Sequence, residues 1–333
     1  MATLKDIAKL ANVNVSTVSK ALRSPSDLNE NTIAMIRRIA DQLGYPYTVK
    51  AAPAKRQSVI GVVCPEIISS YYTDVLDSFQ TYMRKAGYHT LLTVSGFSEK
   101  QEMDCIDLLM SCEVGGIVCF TESAANYARL QELSEHSNIT FLLVTTDADC
   151  TFCDCISIDD FQGAQMAVDH LVKSGHQRIA YIGDALSKTR KESFLAALEG
   201  NELPLEPEYL VENELRFEEC GYAGMKQLLA LKNRPTGVFA AYDNIAIGAM
   251  RAVYEEGLRI PEDFSIVSID NIKTSAYLHK GLTTVTEPTA DLGKVASALL
   301  IEKIEGQKST LQNIKLRPTL NIRETTGPPA GTP

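Results

Sequence analysis

From Val59 onward, short and nearly continuous apolar runs alternate with longer stretches in which apolar residues recur every three or four positions. The runs are VIGVVC (59–64), TLLTVS (90–95), GGIVCF (115–120), TFLLVTT (140–146), CISID (155–159), RIAYIG (178–183), GVFAAY (237–242) and FSIVSID (264–270). Amphipathic segments fall between most of them, for example 73–86, 161–174 and 243–256. Unbroken apolar runs of this length predict strands covered on both faces, and the alternation predicts βαβ units with parallel sheets. About ten such elements exceed one comfortable sheet, so two similar lobes are expected, with a ligand cleft at the strands' carboxyl ends. The closing residues, TTGPPAGTP, carry no heptad pattern and predict a disordered tail over 324–333.

The first 46 residues have a different period. Thr3 followed by Asp6 reads as a capping box, and Leu4, Ile7, Ala8 and Ala11 form a helical apolar stripe. Asn14 is placed to cap a second helix with Val18, Ala21 and Leu22 inward. Asn29 caps a third, with Ile33, Ile36, Ile39, Ala40 and Leu43 inward and Gly44 as its stop. A basic, proline-punctuated linker, PYTVKAAPAKRQS, then marks the clearest domain boundary.

Charge changes the picture. The chain of 333 residues carries a net charge of −10, yet residues 1–58 hold nine lysines and arginines against four acids, a net +5. The remainder holds 23 basic and 38 acidic residues, a net −15. A basic module on an acidic body is the asymmetry expected when only one end meets a polyanion. No signal peptide pattern opens the sequence and no apolar stretch approaches a bilayer span, so a cytoplasmic protein with no membrane contact is expected. Its eight cysteines are then expected as thiols.

Two helices joined by a tight turn suit the DNA major groove, the second helix reading bases while the first braces it. Val15, Ser16, Ser19 and Lys20 fall on or beside the face opposite Val18. Val15 can meet a thymine methyl, Ser16 either type of base edge, and Lys20 guanine O6 and N7. Asn14, Thr17 and Ser19 have the size to bind phosphates near a helix N-terminus. A generic helical hairpin with a solvated polar face is the competing reading; the +5 module beside the −15 body favours DNA.

The stretch TLKDIAKLANVNVSTVSKALRSPSDLNENT…IADQLGYP resembles the DNA-binding head of the LacI family of bacterial repressors. The resemblance continues through IGVV (60–63), GYHTLL (87–92), VGGIV (114–118), GHQRIAYIG (175–183), RPTGVFAAYDNIAIGAM (234–250) and GLRIPEDFSIVSIDN (257–271), reaching about Arg323. It implies an α/β protein with an N-terminal three-helix helix-turn-helix head (1–46), a hinge linker (47–58) and an effector domain (59–323). That domain resembles periplasmic binding proteins: two Rossmann-like, doubly wound parallel sheets joined by three crossovers. Lobe 1 would span about 59–160 and 290–320, and lobe 2 about 161–289. The resemblance makes Val15, Ser16 and Lys20 the base readers and places Thr3, Asn29 and the hinge residue Pro53 among the DNA contacts. Tyr71, Tyr72 and Asp147 from the first lobe, with Arg190, Phe217, Tyr242 and Asp270 from the second, would bind the effector. It also implies a homodimer on a pseudo-palindromic double-stranded operator, an effector that is a sugar, sugar acid or sugar phosphate, and no cofactor.

Two stretches depart from the family pattern. The hinge usually resembles A-R-x-L, whose leucine wedges into the minor groove; here Pro53 stands near that leucine in Lys50-Ala51-Ala52-Pro53-Ala54, which predicts weaker or differently spaced operator bending. Cys150, Cys153 and Cys155 form C-x-x-C-x-C, with Asp154 as a nominal fourth ligand for zinc. No second Cys/His cluster follows and adjacent strand residues face opposite sides, so reduced thiols and no metal are expected. His170 and His176 flank a loop and read as structural or solvated. Two other function classes stay open: a sugar sensor without operator selectivity, and an enzyme using Asp147, Asp243 and Asp270. The absence of a nucleophile–base pair ranks the enzyme last.

Overall fold

In the computed structural model the described residues are 3–23, 28–45, 58–121, 124–145, 150–307 and 310–330. Pro53 and the rest of the linker up to residue 57 lie outside them, as does Asp147. The head is α1 (Leu4–Ala11), α2 (Val15–Arg23) and α3 (Glu30–Gln42). The capping box forms: Thr3 Oγ1 accepts from Asp6 N, and Thr3 N donates to Asp6 Oδ2 at 2.8 Å. Asn12 turns the chain in the left-handed region (φ 52°), and the Asn14 carbonyl accepts the first hydrogen bond of α2 from Val18 N. Ile7, Val18, Ala21, Leu22, Ile36 and Ala40 bury into one small core. Leu43 departs from the expected stripe: it caps α3 rather than continuing it, and its side chain is exposed.

Two six-stranded sheets follow. Lobe 1 has β1 (Val59–Cys64), β2 (His89–Val94), β3 (Gly116–Phe120), β4 (Thr140–Val144), β5 (Asp154–Ile158) and β11 (Asn313–Leu316), in the order β2-β1-β3-β4-β5-β11. Lobe 2 has β6 (Ile179–Asp184), β7 (Leu210–Asn213), β8 (Gly237–Ala240), β9 (Ser265–Asp270), β10 (Thr283–Thr286) and β12 (Thr319–Asn321), in the order β7-β6-β8-β9-β10-β12. Helices α4 (Ser70–Lys85), α5 (Glu99–Ser111), α6 (Tyr127–His136) and α11 (Thr289–Ile304) belong to lobe 1. Helices α7 (Asp160–Lys173), α8 (Lys188–Gly200), α9 (Phe217–Ala230) and α10 (Asp243–Glu255) belong to lobe 2. The eight apolar runs all become strands. The short β7, β10, β11 and β12 were not among them, since each offers only three or four residues of mixed polarity.

The chain passes between the lobes three times, at 158–160, 286–289 and 316–319. The first two passages enter helices and return to the amino end of the next sheet, which keeps the strands parallel. The third has only Arg317 and Pro318, too short to reach the far end of lobe 2. β12 therefore enters from the carboxyl end and runs antiparallel to β10. This corrects the expected lobe 1 limit of 320, because 319–321 belong to lobe 2.

The tail expected to be disordered from 324 is instead bound to lobe 2. Thr325 is fully buried; its Oγ1 accepts from Thr283 N at 2.8 Å and donates to the Ile266 carbonyl at 2.7 Å. Thr326 Oγ1 meets His170 Nε2 at 2.8 Å, and His176 Nε2 meets the Gly327 carbonyl at 2.9 Å. Polar, glycine- and proline-rich composition suggested disorder, but Thr325 satisfies backbone atoms at the open amino end of sheet 2, while Thr326 and Gly327 bind the side chains of His170 and His176. Replacing Thr325 by alanine leaves a buried N–H and a buried carbonyl without that partner, and should cost about 1–3 kcal/mol in denaturant unfolding.

Candidate functional site

Two surfaces collect the predicted residues. On the head, Asn14, Val15, Ser16 and Lys20 are exposed, Thr17 and Ser19 are half-buried, and Val18 between them is fully buried. One face of α2 therefore anchors the helix while the other offers small polar groups, one methyl-bearing side chain and a cation. Thr3 and Asn29 are exposed, with side chains engaged in capping their own helices.

The second surface is the cleft between the lobes, about 740 Å³ including its solvent-filled mouth. Tyr71, Tyr72, Arg190, Phe217, Tyr242 and Asp270 all line it. Tyr72 differs from the rest: it is 7% exposed and packs edge-on against Phe120 at 5.9 Å, so most of its ring belongs to the lobe 1 core. Tyr71 lies edge-on to it at 5.0 Å.

Arg190, on the first turn of α8, is the centre of charge. Its Nη1 donates to Asp270 Oδ1 at 3.0 Å and to the Ala241 carbonyl at 2.9 Å; its Nη2 donates to Glu287 Oε1 at 2.8 Å. Asp160 Oδ1 lies 3.6 Å from its Nε. One guanidinium faces three carboxylates in a mostly dry site, and burial is the main force raising all three acids, with Arg190 opposing it. Asp160 Oδ1 and Glu287 Oε2 are buried and make no hydrogen bond, so the charge of Arg190 is what compensates them.

Backbone shape aims Asp270. Asp270 (φ 116°) and Asn271 (φ 57°) both hold left-handed conformations that cost a non-glycine residue free energy. Asp243 beneath them restrains the turn: it is fully buried and accepts from Ser268, Ser275, Thr284 and Ile272 N. Arg323 Nη2 donates to Asn271 Oδ1 at 2.7 Å. Asp243 is thus a structural acid rather than an open carboxylate.

A second arginine spans the cleft. Arg216, which precedes α9, donates from both Nη atoms to Glu66 of lobe 1, at 2.6 and 3.1 Å. Its guanidinium lies over Phe217 at 4.5 Å and over Phe97 of lobe 1 at 5.5 Å. Asp184 is 3.5 Å from its Nε and accepts from the Tyr242 hydroxyl. The Tyr242 phenol is pushed up by burial and by that carboxylate.

Glu66, Phe97, Asp160, Asp184, Arg216 and Glu287 were missed from sequence. Four carried a usable signal, because Glu66, Asp160, Asp184 and Glu287 stand at or just past the carboxyl ends of β1, β5, β6 and β10. Arg216 and Phe97 sit in loops with no such marker.

The acid cluster has a pH signature. Asp270 and Glu287 are pushed up to about 7 and about 8, above ordinary values near 4. Acids raised in the folded state bind more protons there than when unfolded, so their contribution to stability is present below about pH 4 and is lost as pH rises toward 8. Glu287→Gln should therefore gain melting temperature relative to the parent as pH rises through that window, read by calorimetry.

Comparisons with known proteins agree with this architecture. Residues 3–46 match the model of bacterial regulatory proteins of the lacI family, and residues 168–326 match that of the periplasmic binding protein-like domain. The chain is 31% identical to the probable HTH-type transcriptional repressor ExuR of Bacillus subtilis, over 97% of this chain and 98% of that protein. It is equally identical to the ribose operon repressor of Haemophilus influenzae, with the same coverage. A LacI family regulator from Enterococcus faecium with bound ribose superposes with a TM-score of 0.71 at 27% identity, covering 81% of this chain and 99% of that one. The lac repressor dimer bound to operator shares the fold, with a TM-score of 0.79 at 24% identity over 98% and 99% of the two chains. A helix-turn-helix head, two parallel-sheet lobes around a polar cleft and end-to-end similarity to curated repressors lead to one assignment: the chain belongs to the LacI family of bacterial transcriptional regulators.

Proposed function

We propose that this regulator, as a homodimer, reads a pseudo-palindromic operator with two copies of residues 1–46, and that a neutral sugar held between lobe 1 (59–158 and 289–316) and lobe 2 (160–286 and 319–327) controls its DNA affinity. The observation that carries the ligand class is the charge of the cleft. Four carboxylates, Glu66, Asp160, Asp184 and Asp270, line it against the two guanidiniums of Arg190 and Arg216, and Glu287 stands behind Arg190. Both guanidiniums are already paired with carboxyl groups, so the wall offers a phosphate dianion no free cation, and it suits hydroxyls, which donate to carboxylates and accept from arginine. Tyr71, Phe217 and Tyr242 offer aromatic faces to the apolar side of a ring. The ribose-bound relative supports the same class.

One observation favours a second ligand, a sugar acid. Arg216 Nε–H makes no hydrogen bond and can donate to a ligand carboxylate in place of its looser pairing with Asp184. An enzymatic role has less support. Asp243, one of the carboxylates such a role would use, is held by four donors, and the curated relatives are repressors. Among the described residues no helix is long and apolar enough to cross a membrane, and a cytoplasmic setting is part of the proposal.

Thermal unfolding against neutral sugars, sugar acids and sugar phosphates tests the cleft. A neutral sugar at 100 times its dissociation constant should stabilise the protein by about 2.7 kcal/mol, with no response to phosphorylated forms. Arg190→Lys keeps the charge but loses the planar fork, and should weaken that ligand by at least about tenfold. If the response to the sugar is unchanged in this variant, the ligand binds elsewhere.

Operator selection tests the head. Lys20→Ala should relax preference at a single base pair per half-site and cost about 1–3 kcal/mol. Affinity of the parent should fall steeply and linearly on a log–log plot against salt. Identical selected sequences for the parent and the Val15, Ser16 and Lys20 variants would leave a sensor without operator selectivity.

A further inference from the structure

The connection from β4 to β5 is unusual for a parallel pair. Such crossovers ordinarily need a dozen or more residues and a helix. Here nine residues, 145–153, carry the chain from the carboxyl end of β4 back to the start of β5. The return leg is held against the lobe 1 core by sulfur. Cys150, Cys153 and Cys155 are buried with Ile106, Leu130 and Leu143. Their three Sγ atoms lie within 4.8 Å of one another, with Cys150 and Cys153 3.6 Å apart.

That triangle has the dimensions of a metal's sulfur face. Zinc–sulfur bonds of 2.3 Å in tetrahedral geometry put neighbouring sulfurs about 3.8 Å apart. The alternation expected to scatter these residues applies to neighbours and not to Cys155 on β5 and Cys153 just before it, which are two apart and bring their sulfurs to one side. Cys150 returns to the same side through the Phe152 turn, whose ring packs edge-on to Tyr127 of α6 at 5.7 Å. Asp154 points away, accepting from Gln312 N at 2.6 Å with Lys303 at 3.6 Å, so it is not a fourth ligand.

We propose that Cys150, Cys153 and Cys155 form a tri-thiolate site for a single thiophilic closed-shell cation, Zn²⁺ or Cu⁺. On loading, the three thiols release their protons to solvent and three metal–sulfur bonds form; no oxidant or reductant takes part. Water completes a tetrahedron around Zn²⁺, whereas Cu⁺ is satisfied by the three sulfurs. The bound ion staples the return leg of this short crossover, Cys150 to Cys155, to the lobe 1 core. Its effect reaches the cleft, because the same crossover begins at Thr145, which stands beside Tyr71, Tyr72 and Asp160 in a side hollow of the cleft wall.

The test uses the full chain, reduced and metal-free, titrated separately with Zn²⁺, Co²⁺ and Cu⁺. The expected result is one ion per chain, intense thiolate-to-cobalt charge transfer, and a raised melting temperature. Competition between Zn²⁺ and Cu⁺ identifies the better occupant. Single serine variants at 150, 153 and 155 should each lower affinity at least about tenfold, while Cys105→Ser/Cys112→Ser, which removes the two more exposed thiols, leaves it unchanged. Should a cluster variant fail to fold, alkylation of the unaltered protein followed by mass mapping decides the same question: the ion should protect all three thiols together. No stoichiometric binding, binding lost only in the Cys105/Cys112 variant, or a Cys150–Cys153 disulfide that forms readily and excludes the ion would each overturn the proposal.

Discussion

The Arg190 guanidinium is the interaction on which the effector domain depends. It gathers carboxylates from three places: Asp160 at the first passage between lobes, Glu287 at the second, and Asp270 at the end of β9. A buried arginine with these partners is expensive to remove and expensive to leave half-paired. Because two of its partners stand on the segments that join the lobes, any ligand that rearranges the charges around Arg190 also acts on the hinge. Ligand binding and lobe geometry thus share the same atoms, which is the physical requirement for an effector to bias two conformations.

Around that centre the lobes make unequal contributions. Lobe 2 supplies the rigid acid–arginine network, with Asp243 locking the strained turn beneath Asp270. Among the described residues, lobe 1 supplies aromatic surface through Tyr71 and Phe97 and the charge of Glu66. The Arg216–Glu66 pair closes across the gap and is sandwiched by Phe97 and Phe217. A ligand entering the cleft meets a lobe 2 face already organised and a lobe 1 face tied to it by one bidentate ion pair. Charge is divided on a larger scale too. The basic residues that suit a polyanion are concentrated in the first 58 positions, and the acidic body keeps the remainder of the chain away from DNA.

Much of this was legible in the residues. Period-3.6 apolar stripes with capping residues marked the head helices, and continuous apolar runs marked eight of the strands, including the edge strand β2, because helix and strand burial leave different periodicities. Tyr71, Arg190, Phe217, Tyr242 and Asp270 were found through family motifs and do converge on one cleft. Arg216 was not legible, and neither was its pairing with Glu66, since partners separated by 150 residues leave no local trace of each other. The tail misled for a related reason. Its composition is that of disorder, yet Thr325 satisfies buried backbone groups of sheet 2 and Gly327 the side chains of Ser265 and His176.

The amino-acid sequence by itself determined the fold class, the division into a basic head and an acidic body, and which face of α2 is free, because periodicity, capping and charge are local properties of the chain. Only the tertiary structure decided that three acids share one arginine, that β12 must run backwards and that three cysteines meet. Each of these depends on where distant strand ends come together, and that distance is set by packing rather than by any residue's own preference.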